Sequence, residues 1–336
     1  MDSDFYKEFE NNFRGSREQI MKVLSNYDSF IDYILKIDNH PSLLDIGSGR
    51  GEWIQKCNEK GFKSKGLELN SEMVNDCINL GLDIIQGDAL SLLDQFSENS
   101  FSIVSAFHVV EHMNHQNIKE LIFKSKRILK SDGLLILETP SIDNLLVATK
   151  SFHLDPTHIN PIHPDLLAFM IEKMGFNNVK CFFINGGPLQ YSDHEKLTRV
   201  LNGVAQDIVL IASKSNLLDN KIFDDSNLLK RGMSLGIKTL DAAIDFDNYS
   251  MNRYAQYDES IFLMRKRIID LERKLQNLIR LQEMINRYSI QNVIIKIKRI
   301  FYFFTYKFKN KFISFFRYII NSSIFIFAIK KVYKIQ

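Results

Sequence analysis

Carboxylates and histidines gather at three places in this chain of 336 residues. The first is Leu43 to Trp53, LLDIGSGRGEW, where Asp45 precedes three alternating glycines, Gly47, Gly49 and Gly51. Glycines so spaced put no side chain between backbone amides and a ligand. The second is Phe107 to His112, FHVVEH, whose imidazoles and carboxylate could move a proton or hold a metal. The third is Ser151 to Pro164, SFHLDPTHINPIHP, with three histidines, an aspartate and three prolines. Prolines fix the backbone, so His153, Asp155 and His158 are held rather than floppy. A rigid polar loop of this kind suits an acceptor molecule, with an ordinary polar surface loop as the plain alternative.

The elements around these groups decide what chemistry they serve. Leu43, Leu44 and Ile46 read as a buried strand running into the glycine turn, and Lys65–Asn70, Asp83–Ala89 and Phe101–Phe107 read as three more strands. They alternate with helical stretches, which predicts a doubly wound α/β sheet with its ligand at the carboxyl ends of the strands. Ile118–Leu129 is expected as an amphipathic helix that leaves through Gly133 in a left-handed turn, followed by strand five at Leu134–Glu138. Asn178–Ile184 and Asp207–Ala212 complete a seven-stranded sheet as an edge hairpin. Glu68, about twenty residues past the glycines, can accept hydrogen bonds from ribose hydroxyls, and Asp88 is positioned to take an adenine amino group. A carboxylate at Asp45 would repel a dinucleotide phosphate but attract the sulfonium and amino cations of S-adenosylmethionine.

These segments resemble the Class I S-adenosylmethionine-dependent methyltransferases, which have a Rossmann-like fold. The resemblance implies that Asp45, Gly47, Gly49 and Gly51 hold the methionine part of the cofactor, Glu68 the ribose, and Asp88 with Ala89 the adenine. A narrower likeness covers roughly residues 5–215: FRGSREQI, GRGEW, SAFHVVEH, ETPS and FHLDPTHINPIHP are similar to the methyltransferase part of bacterial O-antigen chain-terminating enzymes, the WbdD-like group. It implies O-methylation of the non-reducing end of a cell-surface polysaccharide. Many members of that group carry a kinase domain, whose glycine-rich loop, HRD and DFG elements are not found in this sequence.

Within that frame Phe107 and His108 line the methionine end of the pocket and Glu111 ties down the loop. H-x-x-E-H also matches a zinc-peptidase pattern, but it follows a buried strand directly and shows no third ligand, so no metal is expected. His158 is the first choice for the base that takes an acceptor proton, Asp155 the second, with His108 nearby and His153 on the acceptor. An ionised phosphate acceptor would need no base, and Arg14 or Arg17 could clamp it instead.

Residues 1–39 read as a helical lid broken at Gly15-Ser16, either simply packed on the sheet or closing Phe13, Arg14 and Arg17 over the cofactor or acceptor. After the catalytic domain at 40–215 comes a linker, 216–255, and then a heptad seam at 256–288 formed by Ile261, Met264, Ile268, Leu271, Leu275, Leu278 and Ile285. This coiled coil predicts a homo-oligomer of two or three chains, or else a helix packed on its own domain. From Met284 to Gln336 the chain has eleven Lys or Arg and no Asp or Glu, which leaves 32 basic against 40 acidic residues elsewhere. Its phenylalanines and isoleucines are too plentiful for a nucleic-acid arm, and its longest uncharged run, Tyr318–Ile329, is too short to span a bilayer. An anionic membrane surface is the expected partner, with a polysaccharide polymerase as a further candidate. Three cysteines without metal spacing and an acidic, mixed N-terminus fit a cytoplasmic enzyme, peripheral on the inner membrane face. The alternatives are a methyltransferase of a membrane lipid or quinone, and a non-enzymatic membrane scaffold.

Overall fold

The computed structural model describes residues 3–194, 196–215, 220–231, 233–287, 298–299 and 302. In chain order the elements are α1 (Ser3–Phe13), α2 (Arg17–Val23), α3 (Asp28–Ile37), β1 (Ser42–Ile46), α4 (Glu52–Glu59), β2 (Lys63–Glu68), α5 (Ser71–Asn79), β3 (Ile84–Gln86), α6 (Ala89–Leu92) and β4 (Phe101–Phe107). There follow α7 (His115–Ile128), β5 (Leu129–Pro140), α8 (Pro164–Lys173), β6 (Asn177–Gly186), α9 (Leu197–Asn202), β7 (Ala205–Ser213), α10 (Asp225–Lys230) and α11 (Thr239–Arg287). The strands form one sheet in the order β3-β2-β1-β4-β5-β7-β6. The first five are parallel, and β7 runs antiparallel to both β5 and β6. This is the expected seven-stranded fold, with the strand order reversing next to β1, where such sheets hold their ligands.

Successive residues of the central strands serve opposite faces. Leu43, Ile103, Ile136 and Ile211 pack with Tyr27, Phe30, Ile34 and Trp53 from the N-terminal helices and α4. Leu44, Val104, Leu137 and Leu210 pack with Ile118, Leu121 and Ile122 of α7 and Leu167 of α8. Every residue of β4 is buried, so each large side chain there contributes ~1.5–3 kcal/mol of apolar burial. The sheet is therefore rigid under the site.

Two local expectations change. Gly133 is absent from the positive-φ residues and lies inside β5, because Leu129 turns extended straight after α7 and pairs with Phe101. Burying Leu129 completely replaces the glycine-ended helix. The stretch expected as a linker is partly packed. Ile222, Phe223, Leu228 and Met233 are buried in the same cluster as Tyr27, with the Phe223 ring 6.2 Å from that of Phe30.

Residues 1–253 form one compact unit and 254–336 another. In the second, the described part of α11 exposes Ile261, Met264, Ile268, Leu271, Leu275 and Leu278, each between 44% and 58% accessible. No helix among the described residues is long and apolar enough to cross a membrane. Apart from residues 298, 299 and 302, the tail at 289–336 lies outside the described residues.

Candidate active site

A cavity of about 800 Å³ opens at the carboxyl ends of β1, β2 and β4. That is the size of a cofactor site. Ile46, Gly47 and Gly49 form its floor, and Glu68, Asp88 and Ala89 one end. Phe107, His108 and Asp207 lie toward the other end, with Asp155, Thr157 and His158 from the proline-rich loop. Helix α1 supplies a wall through Tyr6, Phe9, Glu10, Phe13 and Arg14.

The glycine turn is shaped by contacts that a side chain would violate. Gly47 and Gly49 have φ of +67° and +50°. A Cβ on Gly47 would come within 2.6 Å of Val109 Cγ2, and one on Gly49 within 2.9 Å of Arg14 Nη1. Gly51, also left-handed, serves packing rather than the ligand: it lies outside the lining, and a Cβ there would meet Leu82 Cδ1 at 2.5 Å and Cys77 Sγ at 3.0 Å. Glu68 accepts the Gly49 N–H at 2.8 Å and the Asn70 N–H at 2.9 Å. Its carboxylate is thus fixed at the end of β2, with lone pairs left for ribose hydroxyls. Asp88 caps α6 by accepting from the Ser91 N–H at 2.9 Å and the Ser91 hydroxyl at 2.8 Å. Asp45 sits behind the lining, 2% exposed, and accepts the Ser105 hydroxyl at 2.7 Å. Burial pushes its carboxyl up to about 7, against the opposing effects of Ser105 and Arg14. A buried acid behind the lining, two glycines in the floor and a fixed carboxylate at the end of β2 fit S-adenosylmethionine.

The acceptor end is built by Glu111. It is wholly buried, its backbone carbonyl accepts the N–H groups of Ile159 and Asn160 at 3.0 Å each, and its side chain accepts the Thr139 hydroxyl at 2.9 Å. The proline-rich loop is therefore tied to the end of β4, the role expected for Glu111. Residues 108–112 do not form an α-helix. His108 is left-handed, at φ +54°, and Val110–His112 is a single 3-10 turn, so His108 and His112 face different neighbours. His108 Nδ1 lies 3.2 Å from Glu111 and Nε2 3.3 Å from Glu138. Burial disfavours charge on this ring, but the two carboxylates more than offset it and hold its pKa well above the usual value.

His158 is set up differently. Its Nδ1 lies 2.8 Å from the Phe152 carbonyl. A carbonyl only accepts, so Nδ1 carries the proton and Nε2 a lone pair. Burial lowers the pKa of this ring. Asp155 accepts from the Thr157 N–H and hydroxyl and from the Tyr6 hydroxyl. These bonds to Thr157 outweigh burial and keep Asp155 ionised.

Not every expected residue reaches the cavity. Arg14 does, paired with Glu10 at 2.8 Å over the glycine turn. Arg17 instead donates to the Arg50 carbonyl at 2.8 Å and reaches Gln55, which pins α2 to α4. His153 is exposed, edge-on to Phe152, and outside the lining. Sequence reasoning missed Tyr6, Glu10, Glu138 and Asp207. A charge heading an otherwise apolar strand, as in DIVLIA, was the available signal for Asp207.

Comparison with known proteins agrees with this geometry. Residues 18–181 match the family described as Methyltransferase domain. A crystal structure of a SAM-dependent methyltransferase from Archaeoglobus fulgidus is 30% identical, with a TM-score of 0.55, covering 62% of this chain and 100% of its own. One from Thermotoga maritima, described as a possible histamine N-methyltransferase, is 17% identical with a TM-score of 0.43, covering 63% of this chain and 97% of its own. No curated protein matches the chain. The likeness to the Archaeoglobus fulgidus enzyme runs over that enzyme's whole length, and the family match at residues 18–181 takes in β1 to β5 and the glycine turn. The chain belongs to the S-adenosylmethionine-dependent methyltransferases, and S-adenosylmethionine is its cofactor.

Proposed function

We propose that this enzyme methylates an oxygen at the non-reducing terminus of a cell-surface polysaccharide, as in O-antigen chain termination, at the inner face of the cytoplasmic membrane. The observation that carries the reading is His158, a neutral imidazole with a free Nε2 at the acceptor end of the cavity, as a hydroxyl acceptor requires. The motifs shared with O-antigen chain-terminating enzymes, FHLDPTHINPIHP above all, supply that same loop.

Bound S-adenosylmethionine supplies an electrophilic methyl: the acceptor oxygen's electron pair forms the new O–C bond as the C–S bond breaks and its pair stays on sulfur. Asp45 contributes negative charge behind the floor, while Glu68 and Asp88 fix the ribose and adenine ends. His158 Nε2 takes the hydroxyl proton late in the step, and Phe152 holds the tautomer that makes this possible. Phe9, Phe13 and Phe152 add apolar surface to the cavity wall.

The acceptor is tested by incubating the purified protein with methyl-labelled cofactor and either O-polysaccharide or a membrane lipid extract. Label in polysaccharide is expected, released by mild hydrolysis as an O-methyl sugar. Label only in the lipid arm would transfer the reading to a membrane small molecule.

The exposed seam on α11 supports assembly into dimers or trimers, and the basic, aromatic tail supports attachment to anionic membrane. Leu271→Asp puts a charge into the middle of the seam and is expected to weaken association at least about 100-fold. Light scattering after gel filtration reads this as conversion to monomer, and an unchanged mass would exclude the seam as the interface. Deleting residues 290–336 should leave the oligomer intact while abolishing pelleting with anionic vesicles.

A further inference from the structure

Three carboxylates crowd one imidazole at the acceptor end of the cavity. His108 Nδ1 is 3.2 Å from Glu111 Oε1, His108 Nε2 is 3.3 Å from Glu138 Oε1, and the same Nε2 is 3.9 Å from Asp207 Oδ1. Every outer atom of this group is already held. Glu111 takes the Thr139 hydroxyl at 2.9 Å on its second oxygen, Tyr27 donates its hydroxyl to Glu138 Oε2, and Asn185 donates to Asp207 Oδ2 at 2.8 Å. What remains is an inward-facing set of one nitrogen and two oxygens, all within 4.8 Å of one another. His108 and Asp207 line the cavity, so the open side of this set faces the acceptor.

We propose that His108 Nε2, Glu138 Oε1 and Asp207 Oδ1 form a divalent-cation site whose open positions take oxygens of the acceptor. Charge supports it first. Among the described residues no lysine or arginine pairs with these three carboxylates; His108 is their only charged partner, the neutral His158 ring coming no nearer than 4.0 Å to Glu111. A proton on His108 balances one negative charge of three, whereas a doubly charged ion balances two, and buried charges need such partners. Geometry supports it next. Donors about 2.0–2.2 Å from one ion stand roughly 3–4 Å apart, as His108 Nε2 stands from Glu138 at 3.3 Å and from Asp207 at 3.9 Å, and a carboxylate on the far nitrogen of a ligating histidine is the usual outer support. One imidazole with two carboxylates suits Mn²⁺ or Mg²⁺ more than a soft ion. Glu111, His112 and His158 also stand within 4.8 Å of one another, but both Glu111 oxygens are occupied by His108 and Thr139.

The ion's use rests on the acceptor being an oxygen nucleophile: it would hold one hydroxyl or phosphate oxygen while His158 meets the reacting one. The test does not need that acceptor. Full-length protein is stripped with chelator and titrated with Mn²⁺, the free ion being followed by electron paramagnetic resonance. One Mn²⁺ per chain is expected. Glu138→Gln and Asp207→Asn should each weaken it at least about 100-fold, and Asn185→Asp, which replaces the amide donor to Asp207 and keeps the oxygen that accepts from Asn26, about 10-fold. His112→Ala should leave it unchanged. Calorimetric titration with S-adenosylmethionine confirms that each variant is folded, and if either carboxylate variant fails this control, Asn185→Asp carries the decision. Absence of Mn²⁺ binding in the wild type, equal affinity in Asp207→Asn, or loss in His112→Ala would each overturn the site. Because methyl transfer to polysaccharide is measured separately, the site and the acceptor reading can fail independently.

Discussion

Asp45→Ala is expected to weaken S-adenosylmethionine binding about 100-fold and to leave the protein folded. Unit charges about 4 Å apart attract by ~4 kcal/mol at an effective dielectric of about 20, and ~2.7 kcal/mol already corresponds to 100-fold. Asp45 is 2% exposed at the end of β1, where water screens it little. The fold survives because Ser105, on losing this acceptor, still accepts the Trp53 indole N–H at 3.0 Å and reaches the Leu44 carbonyl at 3.5 Å. A pH signature accompanies the loss. Burial pushes the free Asp45 carboxyl up to about 7, so it must shed a proton to meet a cation below that pH. Wild-type affinity should therefore climb from mildly acidic pH toward about 7 and then level, and Asp45→Ala should lack the climb. For stability the sign reverses. The folded state keeps a proton that the unfolded chain releases above 3.8, so the free wild type loses stability relative to Asp45→Ala as pH rises from 3.8 to about 7. Calorimetric titration and thermal melts read both, and equal affinity in Asp45→Ala would remove this residue from the cofactor site.

The cofactor half of the site was legible because it is local. A buried strand, three glycines and one acid per strand end occupy short stretches, and φ of +67° and +50° at Gly47 and Gly49 is what glycine at those positions is for. Strand β4 was readable to the residue, since FSIVSAF, apolar but for two small serines and without a charge, fits a strand buried on both faces of a doubly wound sheet. The other half was legible only in part: His108, Asp155 and His158 were read from the sequence and line the cavity, but the partners of His108 are set by register. His108 meets Glu138 and Asp207 only because β5 lies beside β4 and β7 returns antiparallel against β5, pairing Pro140 with Asp207. No periodicity carries that information. Gly51 is expected at the ligand as the third glycine of the turn and Arg17 by the family resemblance, yet in the structure Gly51 packs against Leu82 and Cys77 and Arg17 donates to the Arg50 carbonyl. Ile222, Phe223, Leu228 and Met233 were hidden for another reason: in elements of four and six residues, apolar spacing is too short to show a period.

His158→Ala is expected to lower kcat about 100-fold with cofactor affinity unchanged, the usual contribution of a positioned base. The ring is held on both sides: Nδ1 by the Phe152 carbonyl at 2.8 Å, and its face by Phe152 and His112, whose ring centroids are each 4.7 Å away. Removing it leaves space but no broken ladder, so the melting temperature should fall by only a few degrees, consistent with ~1–2 kcal/mol. The pH profile distinguishes a base from a packing residue. The active form is neutral and burial lowers the pKa, so the acid limb of kcat in the wild type should have its midpoint below 6.5. Asp45 titrates higher but acts on cofactor binding, so its effect appears in kcat/KM for the cofactor and vanishes from kcat at saturation. In His158→Ala the acid limb of kcat should disappear, leaving a low, flat rate. Should the variant turn over at the wild-type rate, the acceptor oxygen needs no base and is already ionised, as in a phosphate. Arg14, an arginine that lines the same cavity, would then become the group whose loss slows the reaction.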